Sequence, residues 1–108
     1  VRGRIEKSSI TFFEYGENGM ARFEFSPLEL AERSADAGRP DALFELGLMY
    51  SAGRDVAVDL IEAHKWFNLA AVRGNHDARQ YRAELAQDMT RDEISEAQRQ
   101  AREWLKSH

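Results

Sequence analysis

Residues 41–78 read DALFELGLMYSAGRDVAVDLIEAHKWFNLAAVRGNHDA, and their spacing decides the fold. Small residues (Ala42, Gly47, Ala63, Ala70, Ala71, Ala78) and large apolar ones (Leu46, Tyr50, Trp66, Leu69) recur at helical intervals. Gly53 and Gly74 stand where two successive helices would end, because glycine takes the left-handed cap conformation without a Cβ penalty. Small residues let helix backbones approach closely while larger neighbours fill the grooves alongside. Gly47 falls in mid-helix, where it costs about 1 kcal/mol relative to alanine, so close packing is its expected reason. Each large side chain contributes about 1.5–3 kcal/mol on burial, and a structural role is expected for Leu46, Tyr50, Trp66 and Leu69. The unit is a helical hairpin.

The signals continue outward on both sides. Ser26-Pro27-Leu28-Glu29 is a capping box with proline at the first helical position, which predicts a helix from residue 27 to about 37, stopped by Gly38. A second helix is expected from about 40 to 52, and a third, capped by Asp59, to about 73. A fourth starts near Asn75 and reaches about 87. Thr90-Arg91-Asp92-Glu93 is a second capping box and opens a final helix to about 106. Gly38 and Gly74 lie 36 positions apart, and at that offset Ala35 falls on Ala71, Asp41 on Asp77 and Ala42 on Ala78. Such a period marks a helical repeat array. The first helix is then half a repeat, the second and third a full one, the fourth and fifth a third unit. The stripe Ile94, Ala97, Ala101, Trp104 and Leu105 predicts a final helix docked on the fourth through Ala78, Tyr81 and Leu85. It would cap the stack, with Arg91, Arg99 and Arg102 outward.

Here the pattern resembles the Sel1-like repeat family, helical hairpins related to tetratricopeptide repeats. The matching positions are Ala42, Leu46, Gly47, Tyr50, Gly53, Val56, Asp59, Ala63, Trp66, Ala70, Ala71, Gly74 and Ala78. The chain departs at Asp55, where a second loop glycine is usual, and at Glu62, where lysine is usual. Aspartate tolerates positive φ better than most residues. The resemblance covers residues 41–78 and does not reach residues 1–25. It implies an all-α, right-handed α/α superhelix, a scaffold or adaptor role, and no universal active site.

Residues 1–25 hold all the strand-like signal and form a separate arm ahead of the helical repeat domain at 26–108. Ile10, Phe12, Phe23 and Phe25 alternate with other residues around Gly16-Glu17-Asn18-Gly19. A two-residue Asn18-Gly19 turn sets Phe12 opposite Phe25; a four-residue loop sets it opposite Phe23. Both place Ile10, Phe12, Ala21, Phe23 and Phe25 on one face. An isolated hairpin is marginal in water, so packing on the helices or on another chain is expected.

Composition narrows the function. A net charge of −4 with interleaved acids and bases argues against nucleic acid as a partner. With no cysteine there is neither a disulfide nor a thiolate metal site, which fits a bacterial cytoplasm; export remains open because the chain begins at Val1. No apolar run reaches the roughly 20 residues that span a bilayer. His64, His76 and His108 have no metal-ligand spacing, and no nucleophile elbow or phosphate loop occurs. No cofactor, metal or catalytic residue is expected. The function read from the chain is protein–protein interaction, with a peptide or protein partner on an apolar helical face. Candidate contacts are Phe44 and Leu48, an i,i+4 pair on the second helix, and the outward residues Glu45, His64, Phe67 and Asn68. The competing reading of Phe44 and Leu48 is burial beneath the hairpin, since the second helix is apolar on nearly every side. The competing functions are self-assembly through the hairpin or through the open first helix (Leu28, Leu30, Ala31), and a hydrolase.

Overall fold

Each helix end is set by a local chemical signal. The computed structural model describes residues 10–16 and 19–108, with side chains from residue 25 onward. Helix α1 (Pro27–Asp36) opens on the expected capping box: the Glu29 amide donates to Ser26 Oγ at 3.1 Å and the Ser26 amide to Glu29 Oε1 at 2.9 Å. Helix α2 (Pro40–Ala52) ends at Gly53, which takes φ 73°. The following loop turns at Asp55, the one non-glycine residue with positive φ among those described, at 67°. Aspartate thus adopts the conformation for which the family pattern has glycine. Asp59 then caps α3 (Leu60–Val72), its Oδ1 accepting from the Glu62 amide at 3.1 Å. Helix α4 (Asp77–Ala86) is held at its start by Asn75, whose Oδ1 accepts from the Ala78 amide. Helix α5 (Arg91–Lys106) opens on the Thr90–Glu93 box.

The five helices form the all-α stack expected of the sequence, with α2 between α1 and α3 and with α3 packed on α2, α4 and α5. The core runs through Leu43, Leu46, Met49, Phe67 and Leu69, each no more than 1% exposed, and through an alanine set at 31, 35, 63, 70, 78 and 101. Ala63, Ala70 and Ala78 are fully buried, so the small positions of the repeat lie at close helix contacts. Leu46 and Leu69 are buried with them, while Tyr50 and Trp66 are half-buried against the same core. The Trp66 indole N–H donates to Glu62 Oε1 at 2.9 Å, which satisfies its polar edge.

The final helix corrects one expectation. It packs on α3, where the Trp104 ring meets Trp66 edge-on at 6.2 Å, and not chiefly on α4. Tyr81 is not its docking residue; the Tyr81 ring turns instead toward α2 and α3. Arg91, Arg99 and Arg102 are exposed as expected.

Ahead of the helices, strands β1 (Ile10–Gly16) and β2 (Gly19–Phe25) pair antiparallel, with Phe12 opposite Phe23 and Gly16 opposite Gly19. Of the two registers the sequence allows, this is the one that sets Phe12 opposite Phe23, but Gly16 and Gly19 are themselves paired instead of belonging to a four-residue loop. The apolar face expected on Ile10, Phe12, Ala21 and Phe23 lies outside the described side chains. Strand β2 runs against α1, and the Arg33 guanidinium stands 4.5 Å from the centre of the Phe25 ring.

Candidate partner-binding face

Helices α2 and α4 are the first helices of successive hairpins, and both pack on α3 from the same repeat position. Their facing sides are joined by an aromatic cluster. Phe44 lies 5.6 Å from Phe67 and 5.0 Å from Tyr81, nearly perpendicular to the latter at 88°. Phe67 and Tyr81 are 5.6 Å apart. The Phe44–Tyr81 pair is edge-to-face, which suits the ring quadrupoles, and the two pairs with Phe67 are tilted. Phe67 is the closed centre of the cluster, at 1% exposure, and Tyr81 is its open end, at 43%.

Beside Tyr81 lies an open groove of about 240 Å³ lined by Ser51, Phe67, Tyr81, Glu84, Leu85 and Asp88. Its floor is apolar and its two charged residues are both acidic. The Ser51 hydroxyl donates to the Leu48 carbonyl at 3.0 Å, and Gln80 donates to Glu84 Oε2 at 3.2 Å. A second recess, about 360 Å³, lies at the α1–α2 turn and is lined by Ser34, Arg39, Pro40, Asp41 and Ala42. It has no aromatic floor, and its two charges are opposite in sign.

The six residues expected at the binding face have different surroundings. Phe44 is half-buried and belongs to the aromatic cluster, so its ring is engaged by α3 and α4. Leu48 is half-buried against the core, and Glu45 pairs with Arg54 of the following loop. Asn68 is half-buried and accepts from Arg82 Nη1 at 2.5 Å, which ties α3 to α4.

His64 and Phe67 require correction: they are not outward. His64 is 3% exposed and Phe67 1%. The reason is that α3 is the central helix, covered by α2, α4 and α5, so it has little outward surface to give. Phe67 also fills the space left by the missing side chain of Gly47. A Cβ there would stand 2.4 Å from the Phe67 ring.

Of the groove's lining, Ser51, Glu84 and Asp88 were not singled out from the sequence, and Tyr81 and Leu85 were assigned there to the docking of the final helix. A signal for Tyr81 and Glu84 existed in the repeat itself. The 36-residue offset places outward Glu45 on Tyr81 and Leu48 on Glu84, so the candidate positions of α2 have counterparts on α4.

The buried His64 has one consequence in solution. Its Nδ1 has no hydrogen-bond partner among the described residues. Burial, with the Arg82 guanidinium adding to it, pushes the imidazole below its ordinary value. The folded protein therefore holds His64 neutral, while the unfolded chain protonates it below about pH 6.5. The unfolded state binds the additional proton, so this contribution to stability is complete above about pH 6.5 and is lost as the pH falls toward the lowered native value. Urea melts at pH 7.5 and 5.5 should show the midpoint falling in acid. His64→Leu should reduce that difference; an unchanged difference would assign it to other groups.

Comparison with known families matches the Sel1 repeat to residues 40–75, which span α2, its loop, α3 and the Gly74 turn. The resemblance read from the spacing over residues 41–78 is thereby supported by an independent match. Sel1 repeats are generally protein–protein interaction motifs. No curated protein matches the chain at a significant level. Among the described residues no group of three or more His, Asp or Glu side chains converges as a metal site would require, and no helix is long and apolar enough to cross a membrane.

Proposed function

We infer, from a Sel1 repeat flanked by further hairpin elements, that residues 26–108 form an interaction scaffold that receives a partner on the α2/α4 face. The observation that carries this reading is Tyr81. An aromatic ring 43% exposed, anchored on Phe44 and Phe67 and bordering a groove, is the kind of residue that dominates binding energy at interfaces. Val58 and Val72 are more exposed, at 58% and 59%, but neither lines this groove. They are the natural controls.

The chain, its Tyr81→Ser variant and its Val72→Ser variant should be compared by quantitative affinity capture. A partner lost by at least about tenfold with Tyr81→Ser and retained with Val72→Ser is the expected outcome. Since Tyr81 is only partly covered, Tyr81→Ser should cost no more than about 1–2 kcal/mol of stability, checked by urea denaturation. A partner equally retained by both variants would move the binding face elsewhere.

A further inference from the structure

We propose that the α2/α4 groove takes a basic peptide segment: one apolar side chain seated beside Tyr81 and Leu85, flanked by lysine or arginine facing Glu84 and Asp88. The proposal rests on the binding face assigned above and names its occupant. Three observations lead to it.

The first is charge. Of the six residues lining the groove, two are charged at neutral pH, both are carboxylates, and no cation is among them. Arg54 is paired with Glu45, and the Arg82 guanidinium is held by hydrogen bonding to Asn68. Among the described residues Glu84 receives its hydrogen bond from a neutral amide, Gln80, so its charge is not neutralised by that contact. A partner bearing positive charge is attracted to this rim and an acidic one is repelled.

The second is size. A groove of about 240 Å³ is below the range of about 300–1,000 Å³ typical of small-molecule sites, and it is open along one side. It suits one anchoring side chain of a longer segment rather than an enclosed ligand. The third is the aromatic wall. The exposed Tyr81 ring borders the groove, and its face attracts a guanidinium or ammonium as well as apolar groups. Glu84 follows Tyr81 by about one turn on α4, and Asp88 stands in the turn just past the end of that helix, so both charges lie on the C-terminal side of the anchor.

The test is selection of peptides from a random display library on the intact chain, followed by affinity measurement on the Tyr81→Ser and Glu84→Lys/Asp88→Lys variants. Selected peptides should combine an apolar anchor with several lysines or arginines. They should weaken on addition of salt and lose roughly tenfold or more in affinity to the charge-reversed variant, since attraction is replaced by repulsion. Peptides that require Tyr81 but carry no basic bias would overturn the proposal and leave the binding face intact. Failure to select any Tyr81-dependent peptide would overturn both. Light-scattering mass over a concentration series covers the remaining occupant: a dimer abolished by Tyr81→Ser would show a second copy of this chain in the groove and would also overturn the proposal.

Discussion

Phe67→Ala is expected to destabilise the protein by about 3–5 kcal/mol, the range for removing a fully buried phenylalanine. The ring is 1% exposed and touches Phe44 of α2 and Tyr81 of α4, so its loss opens a cavity where three helices meet. Small domains hold about 5–15 kcal/mol in total, so most of the stability could go with this one ring. Urea denaturation read by circular dichroism measures it directly. The same experiment separates two roles for Phe67. A partner contact exposed on α3 would cost little stability and much binding; a core ring costs stability first. A loss under about 1 kcal/mol would return Phe67 to the surface role its sequence position suggests.

Gly47 carries the second large expectation, and its sign depends on Phe67. Glycine to alanine in mid-helix normally gains about 1 kcal/mol. Here the three atoms nearest to an added Cβ all belong to the Phe67 ring, the closest at 2.4 Å, and the ring is enclosed by its neighbours. Overpacking of this kind costs about 1–3 kcal/mol, so Gly47→Ala should destabilise, and Gly47→Val, with two further carbons, should reach the upper end of that range. In a Phe67→Ala background the obstruction is gone. Gly47→Ala should then stabilise by up to about 1 kcal/mol, the ordinary helix preference. A double-mutant cycle reads this reversal as a coupling energy between residues in contact. The same destabilisation in both backgrounds would show that something other than the Phe67 ring demands glycine.

These two residues also show where sequence reasoning works and where it stops. Gly47 was marked by its cost in mid-helix as a packing residue, and that inference needed only helix propensity. Its partner was not legible, because Phe67 lies on another helix and the contact depends on how α2 crosses α3. Tyr81 illustrates the reverse error. Its stripe with Ala78 and Leu85 is a correct reading of helix periodicity, but periodicity does not say which neighbour the stripe meets. The structure assigns Tyr81 to Phe44 and Phe67, and α5 to α3.

By itself the sequence determined what depends on residues within a turn of one another. Capping boxes at Ser26 and Thr90, the side-chain cap at Asp59, and left-handed turns at Gly38, Gly53 and Gly74 close over three or four positions, so they are written in local spacing. The repeat period added the hairpin order and, with it, the fold class. The tertiary structure alone decided which faces remain open. Helix α3 carries apolar and polar residues on most of its circumference, so its sequence does not distinguish a face toward solvent from a face toward a third neighbour. Because α2, α4 and α5 all pack on it, His64 and Phe67 are enclosed. The exposed aromatic is instead Tyr81, on α4. Burial is a property of the packed assembly of helices, and no single helix encodes it.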